Sequence, residues 1–216
     1  MRFRVINDLH LGAPNALFKT KEHANIFTPE SNVEIYLGDN FDLANCSKDD
    51  VLYIRSLIIG YKEKYGARFI TGNHERQRDE ETERSGYMYR GYHNDKPYLI
   101  HFQHGDFVFW GQEKSKAYRA KEWGAGFLKR GLWVNFLEAL EQGYDRKLNG
   151  VDLFRAKLAL LHASKIAAFD TSSFSKAFLV VGHLHPKKNL FIELGSNTYL
   201  LVLKRGVNDI DFTRYL

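Results

Sequence analysis

The chain has 216 residues, which at about 150 residues per domain gives one compact domain with room for an insertion. Hydrophobic residues at 44% and aromatics at 14% exclude a disordered chain and supply ample core material. The single cysteine, Cys46, excludes a disulfide framework and a cysteine-rich zinc site, nine histidines point to nitrogen-and-oxygen metal chemistry, and a net charge of +5 suits an anionic partner.

The first residues, "MRFRVINDLHLG", lack the apolar core of a signal peptide, because Asn7, Asp8 and His10 interrupt it. Apolar runs such as "FLVVG" and "YLLVL" fall far short of the roughly 20 residues that span a bilayer. The expectation is a soluble, cytoplasmic protein without a transmembrane segment, peripheral membrane contact being left open.

Short β-rich runs follow one another, most of them ending in small, polar or metal-capable residues. Phe3 to Ile6 runs into "NDLHLG", Val33 to Leu37 into "GDNFD", and Arg68 to Thr71 into "GNHE". Tyr98 to Gln103 runs into "HGD", and Phe178 to Val181 into "GHLH". Between the second and third runs, Val51, Ile54, Leu57 and Ile58 follow helical spacing, with Gly66 as the stop, so this stretch predicts a parallel βαβ unit. The tail predicts three consecutive strands, "NLFIEL", "TYLLVL" and "DIDFTRYL", joined by "GSN" and "RGVND" turns. Residues 75–97 interrupt this pattern and open on the charge run "ERQRDEETER", a solvated loop or helix face. Residues 111–169 lack strand signals and predict a helical insertion over the site, within a single domain spanning 1–216.

Ligand-binding groups of α/β sheets gather beyond the carboxyl ends of the strands. The five strand-end loops carry Asp8, His10, Asp39, Asn73, His74, His104, His183 and His185. Imidazole with carboxylate suits Mn, Fe, Zn, Ni or Co and is too nitrogen-rich for a calcium cage. On an extended strand end, residues two apart point the same way, so Asp8 and His10 can chelate one ion, and His183 and His185 share that spacing. All of these strand-end residues but His74 make seven candidate ligands, more than the four usual for one zinc; two ions bridged by a carboxylate, roughly 3.5–4 Å apart, would use all seven. His23, His93, His101 and His162 lack such a setting and take surface or core roles.

The ordered blocks Asp8-Leu9-His10, Gly38-Asp39-Asn40, Gly72-Asn73-His74-Glu75, His104 within "QHGD" and Gly182-His183-Leu184-His185 resemble the signature of the calcineurin-like metallophosphoesterases. The resemblance implies a four-layer α/β/β/α sandwich with a dinuclear centre above the sheet edges. By position it implies that Asp8, His10 and His185 hold one ion, Asn73, His104 and His183 the other, and that Asp39 bridges them. It also implies two divalent ions, Mn²⁺ first, with Fe, Zn, Ni, Co or Mg as the others.

Such a centre hydrolyses a phosphoester or pyrophosphate bond through a metal-activated hydroxide. His74, beside Asn73, is placed by sequence to protonate the leaving group or hydrogen-bond the phosphoryl group. Asp42 resembles the carboxylate that orients this histidine in phosphoprotein-phosphatase relatives, a helix N-cap or turn residue being the other reading. "HGD", a helical insertion after it, and "GH-x-H" followed by Pro186 resemble the UDP-diacylglucosamine pyrophosphohydrolase-like branch, which often has arginine and aspartate where this chain has His74 and Glu75. In the insertion, Lys114, Lys116, Arg119 and Lys121 are candidates for phosphate contact and Trp123 for an acyl or base pocket, solvation and packing being the plainer roles. The expected partner is a phosphorylated small molecule, of nucleotide or UDP-sugar type. A nuclease or cyclic-nucleotide phosphodiesterase of the same family is the alternative, followed by a non-catalytic metal-binding scaffold. The dispersed basic residues do not favour nucleic acid, and oligomeric state is not legible.

Overall fold

The computed structural model describes residues 1–11, 34–41, 48–72, 86–106, 108, 148–166 and 174–216. Side chains of odd and even positions along each central strand serve opposite faces, and both faces are buried. In β1 (Arg2–Asn7), Phe3 and Val5 face one cluster and Ile6 another. In β2 (Glu34–Leu37), Ile35 and Leu37 join the first cluster and Tyr36 the second, and in β3 (Arg68–Ile70) Ile70 and Phe69 divide the same way. Strands buried on both faces read as continuous apolar runs, which is why "FLVV" and "YLLV" show no alternation.

Two sheets result. The first has the order β3-β2-β1-β9, with β1, β2 and β3 parallel and β9 (Gly206–Asp211) antiparallel to β1. The second has the order β4-β5-β6-β8-β7, built from β4 (Tyr87–His93), β5 (Lys96–Gln103), β6 (Lys176–Val181), β7 (Leu190–Gly195) and β8 (Thr198–Val202). Here β5, β6 and β8 run parallel. Between the sheets lie Phe3, Val5, Ile35 and Leu37 from one side and Ile100, Phe102, Phe178 and Val180 from the other, closed by Phe212 just after β9.

Helices cover the outer faces. Helix α1 (Lys48–Tyr65) sets Tyr61 against the cluster of Tyr36, Phe41 and Phe69. It ends as expected: Gly66 takes φ 64° and its N–H returns to Lys62 O at 3.0 Å, closing the helix with a left-handed residue. Helix α2 (Gly150–Ile166) buries Ala156, Leu160 and Ala163 on Leu99, Leu179 and Leu200 of the second sheet. Its first turn is capped by Asn149 Oδ1, which accepts from Val151 N at 2.9 Å and Asp152 N at 3.0 Å, while Asp152 Oδ2 accepts in return from Asn149 N at 3.2 Å. The layers are therefore α/β/β/α. Within the expected insertion 111–169, residues 150–166 form this outer-layer helix, and 111–147 and 167–169 lie outside the described residues. None of the helices among the described residues is long and apolar enough to cross a membrane.

Two expectations change. Part of the interruption at 75–97 is β4, a strand hairpinned onto β5 through Asn94 and Asp95, both left-handed at φ 49° and 61°. That pair of signs is what a two-residue turn needs to match the twist of its strands. In the tail, the last strand begins at Gly206 and not at Asp209, so Val207 and Asn208 belong to β9, and residues 212–214 form a 3₁₀ turn. The chain also changes sheets there: β7 and β8 pair with each other, whereas β9 crosses to the edge of the first sheet beside β1.

Candidate metal centre

Beyond their carboxyl ends β1 and β2 stay in register, with Asp8 N donating to Gly38 O at 3.1 Å, His10 N to Asp39 O at 3.0 Å and Leu11 N to Asn40 O at 2.8 Å. In the second sheet Gly182 N donates to His104 O at 3.0 Å, tying the ends of β5 and β6 together. These bonds hold four loops at one end of the sandwich.

Among the described residues, six site residues gather there into two groups: Asp8, His10 and His185, and Asp39, His104 and His183. Within each group the candidate ligand atoms all lie within 4.8 Å of one another. His185 Nε2 is 3.0 Å from Asp8 Oδ1, and His104 Nε2 is 3.1 Å from both Asp39 Oδ2 and His183 Nδ1. Five of the six are buried, and His185 is nearly so. Asn73, His74, Asp42, Lys114, Lys116, Arg119, Lys121 and Trp123 lie outside the described residues, as does His23. His93, His101 and His162 stand outside both groups.

The backbone that presents these ligands is not the extended strand end the spacing suggested. Asp8, His10, Asp39, His183 and His185 have φ values of 54°, 52°, 48°, 68° and 48°. Asp and His enter this left-handed region more readily than most side chains. The two-residue period holds only for β backbone, so the pairs behave differently: Asp8 and His10 share a group, but His183 and His185 separate into the two groups.

Glycines let the loops close around the carboxylates. A Cβ on Gly182 would lie 2.6 Å from Asp8 Oδ2, and one on Gly72 would overlap Asp39 Oδ1. The two carboxylates thus lie directly against backbone, with no space for a methyl group between.

Electrostatics follow from this packing. Burial on its own would raise the Asp8 carboxyl, but the neighbouring His185 imidazole outweighs it and holds Asp8 well below the usual carboxylate range. Burial would likewise lower His104, yet the Asp39 carboxylate beside it pushes the imidazole up to about 10. The ring of His104 is held in one orientation, because Nδ1 lies 3.0 Å from Leu37 O. A carbonyl only accepts, so Nδ1 carries a proton and Nε2 is the atom turned to Asp39 and His183.

The donor set fits divalent transition ions. Each group offers one carboxylate and two imidazoles in a buried setting, a mixture suited to Mn, Fe, Co, Ni or Zn and unsuited to calcium. A buried carboxylate flanked by imidazole nitrogens would be costly without a cation or proton to share.

Three more residues support the cluster that no motif singles out: Asn7, Arg205 and Asn208. Asn7 Nδ2 donates to Asp8 Oδ2 at 2.5 Å, Asn208 Nδ2 to Asn7 Oδ1 at 3.0 Å, and Arg205 Nε to Asp8 O at 2.6 Å. Asn208 stands 201 residues from Asn7, a separation over which no local pattern carries information.

Several solved structures are similar in chain trace. A dimetal phosphatase from Danio rerio is 11% identical, with 97% of this chain and 91% of that chain covered and a TM-score of 0.45. Wild-type Vps29 from Entamoeba histolytica, complexed with zinc, is 16% identical, with 95% and 74% covered and a TM-score of 0.41. The phosphopantetheinyl hydrolase from Mycobacterium tuberculosis is 15% identical, with 94% and 89% covered and a TM-score of 0.39. No curated protein matches the chain. The family model for calcineurin-like phosphoesterases matches residues 1–187, a span that takes in every loop of the two ligand groups, and on that match the chain belongs to the calcineurin-like phosphoesterase family.

Proposed function

We propose that this chain is a dinuclear-metal phosphoesterase that hydrolyses a phosphoester or pyrophosphate bond of a small nucleotide-type or UDP-sugar-type substrate. The observation that carries the reading is the pair of buried carboxylate–imidazole groups, Asp8/His10/His185 and Asp39/His104/His183, assembled at one end of a calcineurin-like phosphoesterase fold. Asp8, His10 and His185 would hold one ion, and His104 and His183 with Asn73 the other, Asp39 lying between them. Two divalent ions, Mn²⁺ by preference, would supply Lewis acidity and bring the pKa of a bound water toward neutrality.

The chain's own groups do the rest. His104 would offer Nε2 to an ion, because Nδ1 is engaged by Leu37 O. His74 hydrogen-bonds the phosphoryl group or protonates the leaving oxygen, and Asp42 orients its imidazole. Lys114, Lys116, Arg119 and Lys121 of the segment 111–169 meet phosphate oxygens, and Trp123 meets the base or acyl portion. The blocks His104-Gly105-Asp106 and His183-Leu184-His185-Pro186 support the UDP-diacylglucosamine pyrophosphohydrolase-like branch within the family. A single cysteine supports a cytoplasmic setting.

The test is hydrolysis of bis-p-nitrophenyl phosphate and of p-nitrophenyl phosphate by metal-stripped protein with and without added Mn²⁺. Activity should appear with the metal and be lost in Asp39→Asn and His104→Ala. Full activity without metal, or in either variant, overturns the reading. A panel of NDP-sugars and of cyclic and linear nucleotides, read by phosphate or nucleotide release, then separates the substrate classes.

A further inference from the structure

The segment that follows β8 reaches back to the other end of the chain. Leu203 N donates to Val181 O at 2.8 Å, Lys204 N to Asn189 Oδ1 at 2.7 Å, and the half-buried Arg205 donates through Nε to Asp8 O at 2.6 Å and through Nη2 to Leu9 O at 3.3 Å. It therefore touches the ends of β1 and β6 and Asn189, four residues after His185. All of it lies beyond residue 187, where the family match stops.

Within this segment, Asn208 begins a hydrogen-bond relay whose direction is fixed. Its Nδ2 lies 2.9 Å from Lys204 O and 3.1 Å from Gly206 O. Carbonyl oxygens accept and never donate, so this end of the Asn208 amide is the NH₂ group. The same NH₂ donates to Asn7 Oδ1 at 3.0 Å. That assigns the other end of Asn7 as NH₂, and it donates to Asp8 Oδ2 at 2.5 Å. Asp8 Oδ2 accepts a second bond from His183 N at 3.1 Å. With Oδ2 engaged by two donors, Oδ1 is the oxygen turned to His185 Nε2, 3.0 Å away. Asn7, Asp8 and Asn208 are 0%, 0% and 3% exposed, so water does not compete for these bonds.

We propose that Asn208, acting through Asn7, is a positioning residue that makes Asp8 a one-oxygen ligand, with Arg205 holding the left-handed backbone of the same loop. The proposal rests on the dinuclear reading above. It adds that the tail outside the family's matched span governs one of the two ions selectively. Partners that orient a metal ligand without touching the ion typically change affinity 10–100-fold when removed.

The test loads Mn²⁺ into metal-stripped full-length protein and reads stoichiometry and Kd by calorimetry, with the exchange-coupled Mn–Mn signal in electron paramagnetic resonance as the second readout. Variants are Asn208→Asp, which reverses the amide end of the relay, and Asn208→Ala and Asn7→Ala, which delete a link. Arg205→Gln is the milder variant should the others fold poorly. Wild type should bind two ions. Each variant that folds should keep one ion near the wild-type Kd, weaken the other about 10–100-fold and lose the coupled signal. Variants with a lowered melting temperature but two ions at wild-type Kd overturn the proposal, as does equal weakening of both ions. A wild type that binds no metal overturns the dinuclear reading itself, a result distinct from either of these.

Discussion

The backbone N–H of His183 donates to Asp8 Oδ2 at 3.1 Å, while the imidazole of the same residue faces His104 Nε2 at 3.1 Å in the other ligand group. One residue thus belongs to both halves of the centre, by main chain to one and by side chain to the other. Its neighbour at the same two-residue spacing, His185, belongs wholly to the first half through Nε2 and Asp8 Oδ1.

This division predicts different outcomes for two substitutions in one loop. His183→Ala removes a ring from the second group and leaves the N–H that holds Asp8, so the first ion should remain near its wild-type Kd. His185→Ala removes a ligand from the first group and should weaken that ion by more than the 10–100-fold typical of an outer partner. Calorimetric titration with Mn²⁺ counts the ions in each case. Retention of both ions in either variant removes that histidine from the ligand set.

Gly182 is the next point of control. A Cβ at this position meets Asp8 Oδ2 at 2.6 Å and Asn7 Nδ2 at 2.9 Å, both belonging to buried side chains that have no open direction of retreat. Gly182→Ala should displace Asp8 and weaken Mn²⁺ binding by about tenfold or more while leaving the sandwich folded. Far-ultraviolet circular dichroism beside the titration checks both halves of the statement. Wild-type affinity with native dichroism would show that the Asp8 loop yields without consequence.

Legibility in the sequence follows the range of the forces involved. Strand ends carrying Asp8, Asp39, His104 and His183 are local signals, because β-rich runs and their polar stops lie within ten residues of each other. The stop at Gly66 is local too, a left-handed residue at φ 64°. β4 escapes because "YMYRGYH" mixes Arg, Gly and His into an edge strand, and its Asn94-Asp95 turn lacks the glycine that usually marks a hairpin. The passage of β9 from one sheet to the other is set by pairing with β1, two hundred residues upstream, and no window of sequence contains both. The left-handed backbone at Asp8 and His10 belongs to loops held by hydrogen bonds to Gly38 O and Asp39 O, so its φ values answer to tertiary contacts and not to propensity. Motif residues and their division between two groups could therefore be read from the ordered blocks, whereas the left-handed backbone that presents them, and the Asn208–Asn7–Asp8 relay, required the fold.

Gly60 offers a contrasting glycine. It lies inside α1, is exposed, and among the described residues a Cβ there meets nothing within 4 Å. Neither a close approach nor a positive φ requires glycine at this position, so Gly60→Ala should stabilise the protein by about 0.5–1 kcal/mol by reducing the freedom of the unfolded chain. For a domain of this size that is a rise in melting temperature of about 2–4 °C per kcal/mol. A fall in melting temperature would mean that the outer face of α1 carries a contact that a methyl group disturbs.

At the far end of the sandwich, Asp211 ties both termini together. Its carboxylate accepts from Thr213 Oγ1 at 2.6 Å and Thr213 N at 3.1 Å, with the amino terminus of Met1 at 3.5 Å, and these partners, Thr213 Oγ1 foremost, bring its pKa down to about 2. A carboxyl lowered in the folded state contributes stability that is present above its unfolded value, about 3.9, and is lost as pH falls through about 2. Asp211→Asn should therefore lower the urea midpoint at pH 5 and above. The gap between variant and wild type should narrow as the pH is taken from about 4 toward 2, since protonation leaves the wild type uncharged at this position like the variant. Because the side chain is solvent-accessible, added salt should shrink the part of the gap that comes from the Met1 amine and spare the part from Thr213. A gap that stays constant from pH 5 to 2.5 would show that the Asp211 cap stabilises through packing and not through its charge.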